Sequence, residues 1–111
     1  MMELRTWFID GPEDLSLKEF YSNYVNKLEE ILSDPETSII ITDRPGCSIQ
    51  VARYFAKQKY RNCTIYHTGL NPRHNLGKFY TKGGFSTLEK CKKQMLKDSN
   101  KCFCPVKLKN I

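Results

Sequence analysis

Apolar residues follow two different spacings in the first third of this chain. The apolar run 6–10 ends at a Gly-Pro pair and predicts a β-strand. From 17 to 32, apolar side chains recur every three or four positions, which predicts a helix of about four turns with one buried face. Ser16 is a suitable N-cap for this helix, and Ser33-Asp34-Pro35 ends it.

The next segments repeat this alternation of strand and helix. Residues 38–42 contain three consecutive isoleucines, which put apolar groups on both faces and predict a central strand of a parallel sheet. A helix is predicted over 48–59 with Ser48 as its N-cap, and a third strand over 63–67.

The last third of the chain combines a long polar segment with one more helix and strand. Residues 70–85 predict an irregular loop, and a loop of this length in a compact domain is usually functional or disordered. Ser86 and Glu89 match a capping box that opens a third helix, which continues to residue 99. Residues 101–106 predict a fourth short strand.

Alternating strands and helices with short connections favour βαβ units and a parallel sheet. We therefore expect one domain over residues 1–111, a small Rossmann-like α/β/α sandwich of three layers. Its sheet is expected to be mainly parallel, with about four strands. An exposed edge strand in so small a sheet would also allow a homodimer.

Composition narrows the class of protein. Hydrophobic residues make up 40% of the chain and charged residues 27%, as is typical of a soluble globular protein. No apolar run has membrane-spanning length, and Arg5 and Asp10 interrupt the N-terminus before a signal-peptide core. The five cysteines are irregularly spaced and no secretion signal is present, so we expect reduced thiols in a cytoplasmic protein and no metal site. We also expect no cofactor and no membrane partner.

Charge is distributed unevenly along the chain. Residues 1–55 carry 5 Lys/Arg against 10 Asp/Glu, whereas residues 56–111 carry 13 against 2. This asymmetry predicts an electropositive face that favours polyanions or phosphorylated small molecules. The lysines at 90, 92, 93 and 97 equally fit a solvated helix face.

The turn after the second strand is the first candidate site. In an open parallel sheet, ligands bind beyond the carboxyl ends of the strands. Asp43, Arg44 and Gly46 follow the second strand and precede Ser48, so a helix N-terminus would face a phosphate or carboxylate there. Alternatively, Ser48 only caps the helix and Arg44 is solvated.

The ends of the first and third strands add polar residues to the same edge. Asp10 and Gly11 follow the first strand, and Asp43 would lie near Asp10 if the two strands are neighbours. Two close carboxylates suit acid–base chemistry or ribose binding, although Asp10 could instead accept hydrogen bonds from turn amides. His67 ends the third strand, as a ligand contact or as a buried structural histidine.

The long loop offers a further set of donors. Asn71, Arg73 and Asn75 lie among the apolar residues Leu70 and Phe79. A nucleotide site needs both polar donors and apolar side chains, because the base stacks on apolar groups and the phosphates bind cations. A surface loop without ligand would have the same composition.

Four ordered motifs resemble the SLOG superfamily of small bacterial and phage proteins, Rossmann-like relatives of LOG phosphoribohydrolases and DprA-type proteins. The first motif is Phe8-Ile-Asp-Gly with a following Asp-Leu-Ser-Leu-x-Glu-Phe, and the second is Thr42-Asp-Arg-Pro-Gly-Cys-Ser. The third is Tyr66-His with Pro72-Arg-x-Asn, and the fourth is Gly83-Gly-Phe. In the superfamily, glycine is common at the position of Thr42 and aspartate at that of Ser48.

The resemblance implies a pocket for a nucleoside phosphate or an ADP-ribose derivative. Gly83-Gly-Phe-Ser-Thr-Leu-Glu89 is also similar to a LOG signature whose glutamate is catalytic, although a capping box is sufficient to explain Glu89. Superfamily members continue past the fourth strand into another glycine-containing loop and helix. The resemblance therefore describes a C-terminally shortened relative, in which a partner chain could supply that element.

Three functions follow as hypotheses. The first is a sensor or sequestering protein that binds a nucleotide-like small molecule. The second is an N-glycosidic hydrolase of nucleotides, with Asp10, Asp43 or Glu89 as the catalytic carboxylate. The third is a nucleic-acid-binding accessory protein that uses the basic second half, although its lysines lack interleaved aromatic residues.

Overall fold

Strands and helices alternate in the computed structural model, which describes residues 5–75 and 78–106. All strand pairings are parallel. In chain order the elements are β1 (Thr6–Ile9), α1 (Leu17–Asn23), α2 (Val25–Leu32), β2 (Ser38–Thr42), α3 (Cys47–Lys57), β3 (Cys63–Thr68), β4 (Tyr80–Phe85), α4 (Leu88–Asp98) and β5 (Lys101–Phe103). The predicted α/β fold with a parallel sheet is confirmed, with five strands instead of about four.

The strand order, β4-β3-β2-β1-β5, explains why helices cover both faces. The chain moves across the sheet in one direction from β1 to β4 and then returns past β1 to add β5. Right-handed crossovers place connections that run in opposite directions on opposite faces. Accordingly α1, α2 and α3 share the larger core, whereas α4 packs on the other face.

The three isoleucines of β2 contribute to both cores. Ile39 and Ile41 belong to the larger core, together with Phe55 of α3. Ile40 faces the smaller core, where it joins Met95 of α4. Each of these side chains is at most 4% exposed, so the prediction of a central strand is confirmed.

The predicted loop over 70–85 is wrong in its second half, because β4 occupies Tyr80–Phe85 at the edge of the sheet. The strand could not be predicted from the sequence because nearly all its residues are exposed and two are glycines. Its sequence therefore lacks the alternation of apolar and polar residues that a half-buried strand has. Its register against β3 shifts between Tyr66 and Thr68. Gly84 has φ +88 at this bulge, a conformation that favours glycine.

Helix boundaries correct three further predictions. The helix over 17–32 divides at Tyr24, where α1 ends and α2 begins. Ser48 is not the N-cap of α3, because Gly46 takes that position. Ser86 is not an N-cap either: Thr87 caps α4 by accepting a hydrogen bond from the Lys90 amide at 3.2 Å, so no capping box with Glu89 forms.

Ser16 caps α1 as predicted, and Glu19 completes a capping box that the sequence analysis did not predict. Ser16 Oγ accepts a hydrogen bond from the Glu19 amide at 3.1 Å, and Glu19 Oε1 accepts one from the Ser16 amide at 3.2 Å. The remaining predicted elements differ from the observed ones mainly at their ends. The predicted fourth strand over 101–106, which is β5, stops at Phe103.

Asp98 links α4 to the neighbouring strands. Its carboxylate accepts hydrogen bonds from the Tyr66 hydroxyl at 2.6 Å, the Lys82 ammonium at 3.0 Å and the Gln94 amide at 2.9 Å. Burial acts to raise the pKa of Asp98, but these three hydrogen bonds outweigh it and hold that pKa below its ordinary value. The charged carboxylate of Asp98 therefore stabilises the folded state.

We expect Asp98→Asn to lower the free energy of unfolding at neutral pH and to have little effect in strong acid. A carboxyl group whose pKa is lowered by folding stabilises the protein above its ordinary pKa of 3.8 and loses that contribution as the pH falls through the lowered value. Urea unfolding of the unmodified protein and of Asp98→Asn, from strong acid to neutral pH, measures the difference in the free energy of unfolding. Glu89→Gln is the control, since Glu89 is exposed and its nearest ammonium, on Lys93, is 3.9 Å away. An Asp98→Asn effect that does not change with pH would contradict this account.

Candidate functional site

A cleft of about 340 Å³ lies beyond the carboxyl ends of β2, β3 and β4. We call it the carboxyl-edge cleft. Its lining residues come from the β1–α1 loop, the turn after β2, the end of β3, the following loop and the start of α4: Glu13, Asp43, Arg44, Thr68, Arg73, Ser86, Thr87 and Leu88. The topology brings these segments together because parallel strands all end at this edge. Asp43, Arg44 and Arg73 are the predicted site residues that line it.

Asp43 joins the end of β2 to the loop after β3. The residue is 3% exposed, and its Oδ2 accepts a hydrogen bond from the main-chain N–H of Arg73 at 2.8 Å. The Arg73 guanidinium lies 3.6 Å from Oδ1, with a side chain that is 59% exposed. The carboxylate is thus held by the loop main chain, while most of the guanidinium faces solvent at the cleft.

Arg44 is fixed from two sides. Its Nε donates a hydrogen bond to Glu13 Oε1 at 2.6 Å, and its side chain is 19% exposed. Its carbonyl oxygen lies 3.3 Å from His74 Nε2. Because a carbonyl can only accept, this ring nitrogen is the one that carries the hydrogen. His74 Nδ1 is buried and finds no partner among the described residues.

The N-terminus of α4 opens toward the cleft. Ser86, Thr87 and Leu88 line the cleft at this helix end, and Thr68 adds a hydroxyl from the end of β3. The first turn of a helix carries unpaired N–H groups and the positive end of its dipole. This end of α4 therefore favours an anion in the cleft.

The N-terminus of α3, which the sequence favours for an anion, is covered by the loop after β1. The Cys47 amide donates a hydrogen bond to the Pro12 carbonyl at 3.2 Å. Gly46 has φ +80, and a Cβ there would overlap the backbone of Glu13. Ser48 is 3% exposed, and its hydroxyl is hydrogen-bonded to that of Thr42 at 2.7 Å. Neither Gly46 nor Ser48 lines the cleft.

Asp10 follows β1 and does not line the cleft. It is 6% exposed, accepts a hydrogen bond from the Gly11 amide at 2.9 Å, and forms an ion pair with Lys92 of α4 at 3.2 Å. A Cβ on Gly11 would come within 2.8 Å of Cys47 Sγ, so the loop packs tightly there. The turn-amide alternative for Asp10 is the one observed, together with an ion pair that the sequence does not reveal.

The other predicted site residues do not line the cleft. His67 is 3% exposed, and its ring occupies the space that a side chain at position 83 would need. The side chain of Asn75 accepts from the Phe79 amide and donates to the Phe79 carbonyl, both at 2.8 Å, which closes the loop locally. Asn71 and Glu89 are exposed, and neither is among the lining residues.

Sequence reasoning did not single out Glu13, Ser86 or Thr87 as site residues, and neither of its interpretations of Lys92 included an ion pair with Asp10. Recognition of β4 as a strand would have placed Ser86 and Thr87 at the carboxyl edge. The Glu13–Arg44 and Asp10–Lys92 pairs have no local signal, because their partners are 31 and 82 residues apart in the chain.

The cysteines are free thiols. Burial raises the pKa of the Cys47 and Cys63 thiols to about 12, whereas Cys102 is exposed. Across residues 5–75 and 78–106, no group of three or more His, Cys, Asp and Glu side chains is arranged to hold a metal ion. None of the helices in these ranges is long and apolar enough to cross a membrane.

We expect Gly46→Ala to destabilise the protein more than Gly69→Ala. Both glycines have positive φ, so either substitution introduces backbone strain of about 1–3 kcal/mol. Only at Gly46 does the added Cβ also overlap the Glu13 backbone, whereas no atom of the described residues lies within 4 Å of a Cβ at Gly69. Urea unfolding measures both variants. Equal losses of stability would show that the loop does not pack on α3 in this way.

We expect Asp43→Ala to loosen the loop after β3. The substitution removes the acceptor for the Arg73 amide and the partner of its guanidinium, so amides of residues 69–75 should exchange hydrogen faster. Hydrogen exchange followed by mass spectrometry reads this segment directly. Asp98→Ala is the control, since it removes a carboxylate that contacts Tyr66, Lys82 and Gln94 instead. The same acceleration of residues 69–75 in both variants would refute a specific role for Asp43.

Comparison of the chain with protein-family models, with curated proteins and with solved structures finds no match in any of the three.

Proposed function

We propose that the protein binds a nucleotide-derived small molecule, such as a nucleoside phosphate, in the carboxyl-edge cleft. The observation that carries the proposal is that Arg44, Arg73 and the N-terminus of α4 line one cleft at the ends of β2 and β3. Its volume of about 340 Å³ is in the range of small-molecule sites.

The pairing of charges around the cleft favours a ligand that has both hydroxyl and phosphate groups. Each arginine is accompanied by a carboxylate, Arg44 by Glu13 and Arg73 by Asp43. A guanidinium can donate two hydrogen bonds to a phosphate, while a carboxylate accepts hydrogen bonds from ribose hydroxyls. The resemblance of the motifs to the SLOG superfamily supports the same class of ligand.

Binding without turnover, as in a sensor or a sequestering protein, is the version we favour. Of the three carboxylates considered as catalytic groups, only Asp43 lines the cleft. It is held by the Arg73 main chain, whereas Asp10 is buried against Lys92. Glu89 is exposed beside Lys93. None of the three stands unpaired in the cleft as a general acid or nucleophile would.

A panel of ligands tests the proposal. AMP, dAMP, NAD, ADP-ribose and a short single-stranded oligonucleotide are added separately, and the melting temperature of the protein is measured. We expect at least one nucleotide to raise it, because a ligand that binds only the folded state stabilises that state. Stabilisation by the oligonucleotide alone would favour the nucleic-acid alternative. Release of free base from a bound nucleotide would favour the hydrolase.

We expect Arg73→Ala to weaken binding of a phosphorylated ligand by about 1.5–3 kcal/mol, the usual cost of losing a charged hydrogen-bonding partner. The nucleoside without phosphate should be affected much less. Calorimetry measures both ligands. Arg53→Ala is the matched control, because Arg53 is an exposed arginine on α3 that does not line the cleft. Equal losses in the two variants would indicate attraction by overall charge and would remove Arg73 from the site.

A further inference from the structure

A second surface feature lies between α1 and α3, and it shares no residue with the carboxyl-edge cleft. We call it the α1–α3 groove, and its volume is about 100 Å³. Its lining residues are Leu17, Phe20, Tyr21, Gln50, Arg53, Tyr54 and Lys57. A space of this size is roughly three times the share of one water molecule in the liquid, which suits one apolar side chain and not a nucleotide.

The floor and one wall of the groove are apolar and partly uncovered. Phe20 is buried and meets Tyr54 edge-on, with ring centroids 6.3 Å apart. On the α1 side, Leu17 is 61% exposed and Tyr21 is 55% exposed. Neighbouring large apolar side chains that remain in solvent beside a preformed groove are typical of protein-interaction sites.

The opposite wall, on α3, is polar and cationic. Gln50, Arg53 and Lys57 lie three and four positions apart, so they follow one another along one helix face. Neither Arg53 nor Lys57 forms an ion pair with any residue in the described part of the chain. From Gln50 to Lys57 the wall extends about 10 Å, the length of two helical turns.

The side chain of Gln50 is held in place beside the groove. Its Nε2 donates to the Leu15 carbonyl at 2.7 Å, which fixes the side-chain amide. Its Oε1 is buried and has no donor among the residues described. Gln50 is therefore a fixed part of the polar wall, and the exposed Arg53 and Lys57 on the same helix are the groups that a charged partner meets.

We propose that the α1–α3 groove docks an acidic segment of another protein, which inserts one leucine-sized apolar side chain between α1 and α3. Carboxylates of that segment pair with Arg53 and Lys57. Charge complementarity selects an acidic partner over a basic one, since the polar wall carries two cations without carboxylates.

Two blocked peptides test the proposal by NMR with isotope-labelled protein. In one, a single leucine is flanked by glutamates on both sides; in the other, lysines replace the glutamates. We expect the acidic peptide to shift the amide signals of α1 and α3 in a saturable way, and the basic peptide to leave them unchanged. The proposal fails if the acidic peptide causes no shift there, or if both peptides shift the same signals.

Matched variants separate docking from general attraction. We expect Leu17→Ser to weaken the acidic peptide at least tenfold and Leu96→Ser, a leucine 58% exposed on α4, to leave its affinity unchanged. The double variant Arg53→Glu/Lys57→Glu should abolish binding, whereas Lys93→Glu/Lys97→Glu on α4 should not. Equal losses in the two double variants would overturn the proposal in favour of overall electrostatics.

Sedimentation of the unmodified protein tests the other possible occupant. Self-association that Leu17→Ser removes would assign the groove to a second copy of the chain and would overturn the acidic-segment proposal. A protein that remains monomeric while binding the acidic peptide supports it. None of these measurements uses a nucleotide, so their outcome is separate from that of the nucleotide panel.

Discussion

The close packing of the β1–α1 loop on the start of α3 determines how the carboxyl edge of this sheet is used. Gly46 lets the backbone at Glu13 approach the start of α3, and Gly11 leaves room for the Tyr24 hydroxyl and the Cys47 side chain. The Cys47 amide donates to the Pro12 carbonyl, and the Tyr24 hydroxyl donates to the Asp10 carbonyl at 2.8 Å. Because these contacts cover the N-terminus of α3, the helix end that remains open at the cleft is that of α4.

The same packing sets the charges around the cleft. Glu13 lies in the covering loop and pairs with Arg44, and Asp43 holds the loop that carries Arg73. Two cations and two anions therefore line a small space, without the large net positive charge that the second half of the sequence suggests. Part of that positive charge is neutralised by ion pairs within the chain, since Lys92 pairs with buried Asp10 and Lys82 pairs with Asp98.

Local patterns predicted the parts of the fold that local physics determines. The isoleucines of β2 and the N-cap at Ser16 are read directly from spacing and residue type, and both are as expected. β4 was missed because an exposed edge strand with two glycines has no buried face to create a pattern. At the site, Asp43, Arg44 and Arg73 could be placed from their positions after strands and in the loop. The roles of Ser48 and Asp10 could not, since they depend on contacts with Thr42 and Lys92 that only the packed chain creates.

The position of β5 has a consequence for how the chain is made. β5 pairs with β1, and Trp7 lies opposite Lys101, so the final strand of the sheet completes an edge formed by the first. Contacts between such distant parts of a chain close large loops and slow folding. During synthesis β1 thus presents an open edge to other chains until residues 101–103 have left the ribosome, and the nascent sheet is exposed to mispairing while the segment between the two strands is made.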